Sequence, residues 1–495
     1  MAYSELKDLF REHSILDDIN GILNWDMATY MPERSRGQRM SQIKTIYSYK
    51  KKIFNLIKDK ELFKKINKKE LSSSDRLNFE LMKTKFDYFD NIPFKNIQKK
   101  TLLSIECEGL WREARKKSNF NLIKKSLSKL VNVIKEESDI LSQKKDLSKY
   151  DCLLLNYDRS INTNGLKKIF SKVEKFIKSN LKTIKKKQNK YEKIKPGDSL
   201  NEFEQFKLSN ILMKNLGFDF TRGRIDKSLH PFCGGSTNDV RITTRFNSDD
   251  PFSCFDALMH ETGHALYEQG LPKKWTHQPL GSAAGMSLHE SQSLFVEMQL
   301  IKSLSVSKYL EQIIRKKLKK KSSFWNANNI FRMRNQVRSN NIRVDSDEVH
   351  YPLHIIHRFN IECQLIEKDE NVESLPDLWN QEFKKIFGRT VDNDNDGCLQ
   401  DIHWFGGDFG YFPTYSIGAF IAAQLKYRIN KTLPEINKLL EQGKFKPVIS
   451  WLKKNIHQKG SFYKIDQILE KCTGEKLKIK YFEKHIIDRY VNEIN

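Results

Sequence analysis

The chain has 495 residues, 38% of them apolar, with 31 Phe, 17 Tyr and 7 Trp, which is enough core material to exclude wholesale disorder. No run approaches the roughly 20 apolar residues that span a bilayer, and the mean hydropathy of -0.63 agrees, which excludes a helical membrane protein. The formal charge of +25 raises nucleic acid or an anionic surface as a partner. Its excess is mostly lysine, in runs such as Lys185-Lys186-Lys187 and Arg315 to Lys321 without interleaved aromatics, so it reads as a solvated helix coat with no specific nucleic-acid site.

The opening segment carries acidic residues from Glu5 onward and no uninterrupted apolar stretch behind a basic start, so it does not read as a secretory signal. Most of the first 220 residues read as helix, with few breakers and apolar residues at three- and four-residue spacing, as in Leu208, Ile211, Leu212 and Leu216. Lysine-rich breaks near Lys144 to Lys149 and Lys195 to Asp198 read as connections between helices. The seven cysteines, Cys107, Cys152, Cys233, Cys254, Cys363, Cys398 and Cys472, are odd in number and never fall in a C-x-x-C pair, which predicts free, inert thiols in a reducing cytoplasm.

Between Ser228 and Phe246 the texture changes: Gly234-Gly235 marks a turn, and Val240, Ile242 and Thr244 alternate with polar residues as in a strand. A second stretch, Asn341 to Tyr351, alternates through Ile342 and Val344 and predicts another strand. The expected small sheet sits beside a helical site. On its own, the segment from Asp239 to Phe246 also suits an ordinary edge strand with Arg241 and Arg245 facing solvent, and Trp25 and Trp404 read as core.

The segment DPFSCFDALMHETGHALYEQG places Asp250 at an N-cap, Pro251 at the first helical position and Gly270 just past the end. His260 and His264, four residues apart, then project from one helical face, the spacing that lets two imidazoles share a metal ion, with Glu261 beside them. A hydrolytic zinc site takes three protein ligands and keeps one position open. Glu290, in GMSLHESQSLFVEMQL, is the candidate third ligand, with Glu297 and His289 as alternatives; Ser287 and Glu290 also fit a capping box with no metal role. In the hydrolytic reading Glu261 moves the water proton, downstream Tyr and His side chains stabilise the oxyanion, and Glu268 orients a ligand histidine.

These segments, together with NWDMATYMP at Trp25, HPF at His230, DVRITTRF at Asp239, IRVDSDEVHYPLHIIHRFNIE at Ile342 and GCLQDIHWFGGDFGYFPTY at Gly397, run along nearly the whole chain. In this order and spacing the sequence resembles the thermostable carboxypeptidase 1 (carboxypeptidase Taq) family of metallocarboxypeptidases. The resemblance implies a mainly α-helical fold with a deep groove, usually as a homodimer, in which the small β-sheet read from the two alternating segments lies beside the HExxH helix. It implies one Zn2+ or Co2+ at His260, His264 and Glu290, Glu261 as general base, and Arg343 as the clamp on the carboxylate of a peptide's free C-terminus, which suits a bidentate guanidinium. His230, Asp239, Arg241, His403 and Tyr411 match further motif positions and are expected at substrate or transition state.

The expected organisation is a single domain over 1–495: a helical part to about 220, a metal-site core from about 221 to 430, and a helical part to 495. Ser346 stands where the family usually has Ala and Val296 where a Trp is common; neither is a proposed ligand or base. Two rivals remain at this point: an HExxH oligopeptidase that cuts inside chains, and a basic nucleic-acid-binding protein with an incidental motif.

Overall fold

A computed structural model of the protein describes residues 2–189, 198–228, 231–246, 250 and 252–492. The chain forms two compact units, one made of Met1–Leu16, Arg34–Lys175 and Arg338–Ser416, the other of Asp17–Glu33, Phe176–Val337 and Ile417–Asn495.

The first unit is helical. Leu6, Leu9 and Phe10 pack with Ile53, Phe54 and Ile57 and with Phe79, Met82 and Phe86 from separate helices, and each large apolar side chain buried in this way stabilises the fold by roughly 1.5–3 kcal/mol. The predicted break at Lys144 to Lys149 is present: one helix, Lys124–Lys145, ends where Asp146 takes a left-handed conformation (φ 53°), and the next, Lys149–Leu154, starts behind the Ser148 cap. The predicted strand over 341–351 is absent. Asp347 accepts hydrogen bonds from the backbone N–H of Arg338, Val349 and His350, and Gln400 accepts one from the N–H of Arg343. Donors that a ladder needs are spent on side chains, and the segment folds as turns.

In the second unit the helix Glu202–Leu216 opens on a capping box between Asn201 and Glu204, ends at Gly217 (φ 91°), and buries Leu208, Leu212 and Leu216. The other predicted break, Lys195 to Asp198, lies outside the described residues except for Asp198. A three-stranded sheet follows: β1 (Gly223–Lys227), β2 (Phe232–Ser236) and β3 (Asp239–Thr244), in the order β1-β3-β2, with β1 parallel and β2 antiparallel to β3. β3 is therefore the central strand, with Val240 and Ile242 fully buried, and not the edge its sequence also allowed. The turn falls at Thr237 and Asn238; Gly234 and Gly235 lie inside β2. Gly235 (φ 88°) is needed for close approach, since a Cβ there would sit 1.9 Å from the carbonyl oxygen of Asp239. Among the described residues no helix is long and apolar enough to cross a membrane.

Candidate metal centre

The HExxH helix runs Ser253–Gly270 against β3. Its start differs from expectation: Asp250 accepts a hydrogen bond from the N–H of Phe252, one residue before the helix, and Pro251 lies outside the described residues. Its end differs too. Gly270 is the last helical residue, and a side chain there would meet the ring of His457 at 2.7 Å, so close packing, not a left-handed cap, requires glycine.

The helix Met286–Leu294 packs beside it, and two glycines set the approach. A Cβ on Gly263 would lie 2.3 Å from the carbonyl oxygen of Gln292, and one on Gly418, in the helix Pro413–Thr432, would lie 2.8 Å from Cγ of Glu290. Backbone contact at Gly263 brings Glu290 to the histidines, and Gly418 covers it, leaving Glu290 only 1% exposed. Ser287 lies within this helix, whose N-cap is Gly285 with no side-chain cap, so the capping-box alternative falls away.

His260, His264 and Glu290 each present a ligand atom within 4.8 Å of the others. Nε2 of His260 lies 3.8 Å from Oε1 of Glu290, and Nε2 of His264 lies 3.3 Å from Oε2. Oε1 of Glu290 is buried without a hydrogen-bond partner among the described residues, an unmet acceptor of the kind a cation satisfies. Two imidazole nitrogens and one carboxylate are also the donor set of three-ligand catalytic sites for zinc and related divalent ions.

The far ring nitrogens fix both imidazoles. Nδ1 of His260 lies 2.9 Å from Oε2 of Glu297, whose Oε1 accepts from Lys302 at 2.7 Å. Nδ1 of His264 lies 2.6 Å from Nδ1 of His289, whose Nε2 lies 2.8 Å from Oε1 of Glu268. If Nε2 of His264 is to hold a cation, its Nδ1 carries the proton and donates to His289, which donates in turn to Glu268. Glu268 thus reaches the ligand histidine through His289 and not directly. Glu297 and His289, the other possible ligands, are engaged behind the rings.

Burial disfavours charge on every group here, and the balance differs from one to the next. At His260 the desolvation is outweighed by Glu290, Glu297 and Glu261, which push its pKa up to about 9; at His264 burial prevails and holds it near 4. Burial raises Glu261 to about 7, in the range suited to a group that takes and returns a proton near neutrality.

Of the remaining predicted residues, Asp239 and Arg241 pair on β3, with Nη2 of Arg241 donating to Asp239 at 2.8 Å, and the guanidinium lies 4.3 Å from the centroid of the Trp25 ring. Arg241 therefore rests on an aromatic platform and does not point freely to solvent. Trp25 is 7% exposed, core as expected, but sequence reasoning did not connect it to Arg241. His230 lies outside the described residues.

Arg343, His403 and Tyr411 belong to the first unit. Arg343 gives Nε and Nη2 to Asp401 at 3.0 and 2.9 Å and lies over the ring of Tyr415. Nε2 of His403 lies 2.7 Å from the Tyr415 hydroxyl, and Tyr411 packs against the His403 and Tyr415 rings. Asp401, Arg358 and Tyr415 were not singled out from sequence, although each lies in a segment that carries the family resemblance.

The family model described as "Carboxypeptidase Taq (M32) metallopeptidase" matches residues 5–490. The chain belongs to this family of metallopeptidases. It is 32% identical to carboxypeptidase 1 of Bacillus subtilis (strain 168), over 99% of this chain and 98% of that one. It is 27% identical to thermostable carboxypeptidase 1 of Thermus thermophilus, again over 99% and 98%. Among solved structures, metallocarboxypeptidase 1 of Trypanosoma cruzi matches with a TM-score of 0.93 at 30% identity, covering 99% of both chains. The protein is thus a metal-dependent carboxypeptidase acting on peptides, built mainly of helices with one small sheet.

Proposed function

We propose that this carboxypeptidase releases single C-terminal amino acids with one zinc ion, cobalt being the alternative, held by His260, His264 and Glu290. The observation that carries the proposal is the convergence of those three ligand atoms, two from the HExxH helix and one from the helix Met286–Leu294, beside Glu261. A cation there supplies Lewis acidity to the scissile carbonyl and to the attacking water. Glu261 takes the water proton as the oxygen adds to the carbonyl carbon, and delivers it to the amine nitrogen as the C–N bond breaks. His403 and Tyr411 donate to the developing oxyanion. Arg343 binds the terminal carboxylate through Nη1, its Nε and Nη2 being held by Asp401; Asp239, Arg241 and His230 contact the peptide.

Residues 1–495 act as one functional module, a homodimer in the cytoplasm that serves peptides with a free C-terminus and neither membrane nor specific nucleic acid. The test is mass-spectrometric digestion of an N-terminally blocked peptide, with a free or an amidated C-terminus, by the metal-loaded enzyme and by Glu261→Gln. Stepwise loss from the free C-terminus alone, abolished by the substitution, is expected. Internal cleavage of both peptides would move the enzyme to the oligopeptidase reading.

A further inference from the structure

Asp401 is shared. Besides Arg343 it accepts from Nε of Arg358 at 2.7 Å, and Arg358 is fully buried. The other nitrogens of Arg358 are occupied as well, Nη1 by the His354 carbonyl at 2.9 Å and Nη2 by Oε1 of Gln400 at 2.6 Å. Gln400 also accepts the backbone N–H of Arg343. Among the described residues, Asp401 is the only carboxylate hydrogen-bonded to either guanidinium. The neighbouring His354 and His357 add no anion, and burial holds both neutral. Rings of Trp379, Phe412 and Tyr415 face the two guanidiniums, but an aromatic face offsets only part of a full charge.

The cluster therefore holds two buried cations against one anion. A buried charge without a partner is costly, and a second guanidinium whose three nitrogens are each hydrogen-bonded to protein atoms is not needed to orient the first, since Asp401 does that alone. We infer that Arg358 is a specificity-determining positioning residue: it never touches substrate, and its surplus positive charge draws the α-carboxylate of the peptide to Arg343. The inference rests on Arg343 as the clamp. Arg343 and Arg358 pull the pKa of Asp401 down against its burial; Asp401 in turn holds Arg343 above the ordinary guanidinium range, while burial and Arg343 lower Arg358 to about 10 although Asp401 raises it.

The test compares KM and kcat of the metal-loaded enzyme on one blocked peptide as free acid and as amide. Four proteins are used: the unaltered enzyme, Arg358→Lys, Arg358→Gln, and Gln400→Glu. The last keeps both arginines and the acceptor at position 400, adds one negative charge and gives up the hydrogen bonds that Nε2 of Gln400 donates to the Asn341 and Asp396 carbonyls, so it is read in place of Arg358→Gln once circular dichroism shows it folded. Arg358→Gln and Gln400→Glu are each expected to raise KM for the free acid about tenfold, with kcat within about threefold and the amide little changed. Arg358→Lys, which keeps the charge and loses the fork, should retain most of the preference for the free acid. Discrimination at the unaltered level in folded Arg358→Gln or in Gln400→Glu overturns the inference and leaves the Arg343 clamp standing. An unaltered enzyme that treats acid and amide alike overturns both.

Discussion

Oε2 of Glu297 lies 2.9 Å from Nδ1 of His260, on the opposite side of the ring from the nitrogen that faces Glu290. The geometry depends on a π-helical stretch, Phe295–Ile301, that continues the Glu290 helix with a wider turn. One continuous helical run thus supplies both a ligand candidate and the carboxylate behind another ligand.

Glu297→Gln is expected to weaken metal binding about 10- to 100-fold, the usual effect of losing such a buttress, with the metal-free fold retained. Competition with a chelator of known affinity measures it. An unchanged dissociation constant would mean that His260 is held by packing alone.

Gly263→Ala should destabilise the protein by about 1–3 kcal/mol or more, because the new Cβ meets Gln292 oxygen at 2.3 Å and the α-carbon of Ser293 at 2.5 Å, both backbone atoms. It should also lower metal occupancy, since relief requires the two helices to part and takes Glu290 from the histidines. Thermal melting and metal analysis of the same sample report the two effects, and a fall in melting temperature at full occupancy would separate them.

Glu362 is fully buried and accepts from the Tyr150 hydroxyl, Trp404 Nε1 and the N–H of Gly410. Burial still raises its carboxyl from the ordinary 4.5 to about 7. The folded chain therefore keeps a proton there that the unfolded chain gives up between those values; the associated stability is complete at low pH and is lost as pH rises through about 7. Glu362→Gln carries no such term. Its melting temperature relative to the unaltered protein should rise by a few degrees from about pH 5 to about pH 8, and parallel curves would contradict the assignment.

What the sequence made legible was local. The four-residue spacings of Leu208, Leu212 and Leu216 and of His260 and His264 are properties of a single helix, and both helices formed, the second with other ends than its sequence suggested. The error over 341–351 arose because alternation of Ile342 and Val344 carries no information about Asp347, whose side chain captures the local N–H groups. The path from Glu268 through His289 to His264 depends on two helices packing at Gly263, and the Arg343–Asp401–Arg358 cluster joins positions 58 and 43 residues apart. No periodicity encodes such contacts, so the sequence offered the residues without their pairing.

The most direct measurement of the central claim is metal stoichiometry and affinity of the purified chain, metal-stripped and reloaded with zinc, beside Glu290→Gln. One ion per chain is expected, with binding at least 100-fold weaker in the variant and C-terminal amino-acid release lost at limiting metal. One tightly held ion in Glu290→Gln, at unchanged affinity, would contradict the ligand set of His260, His264 and Glu290.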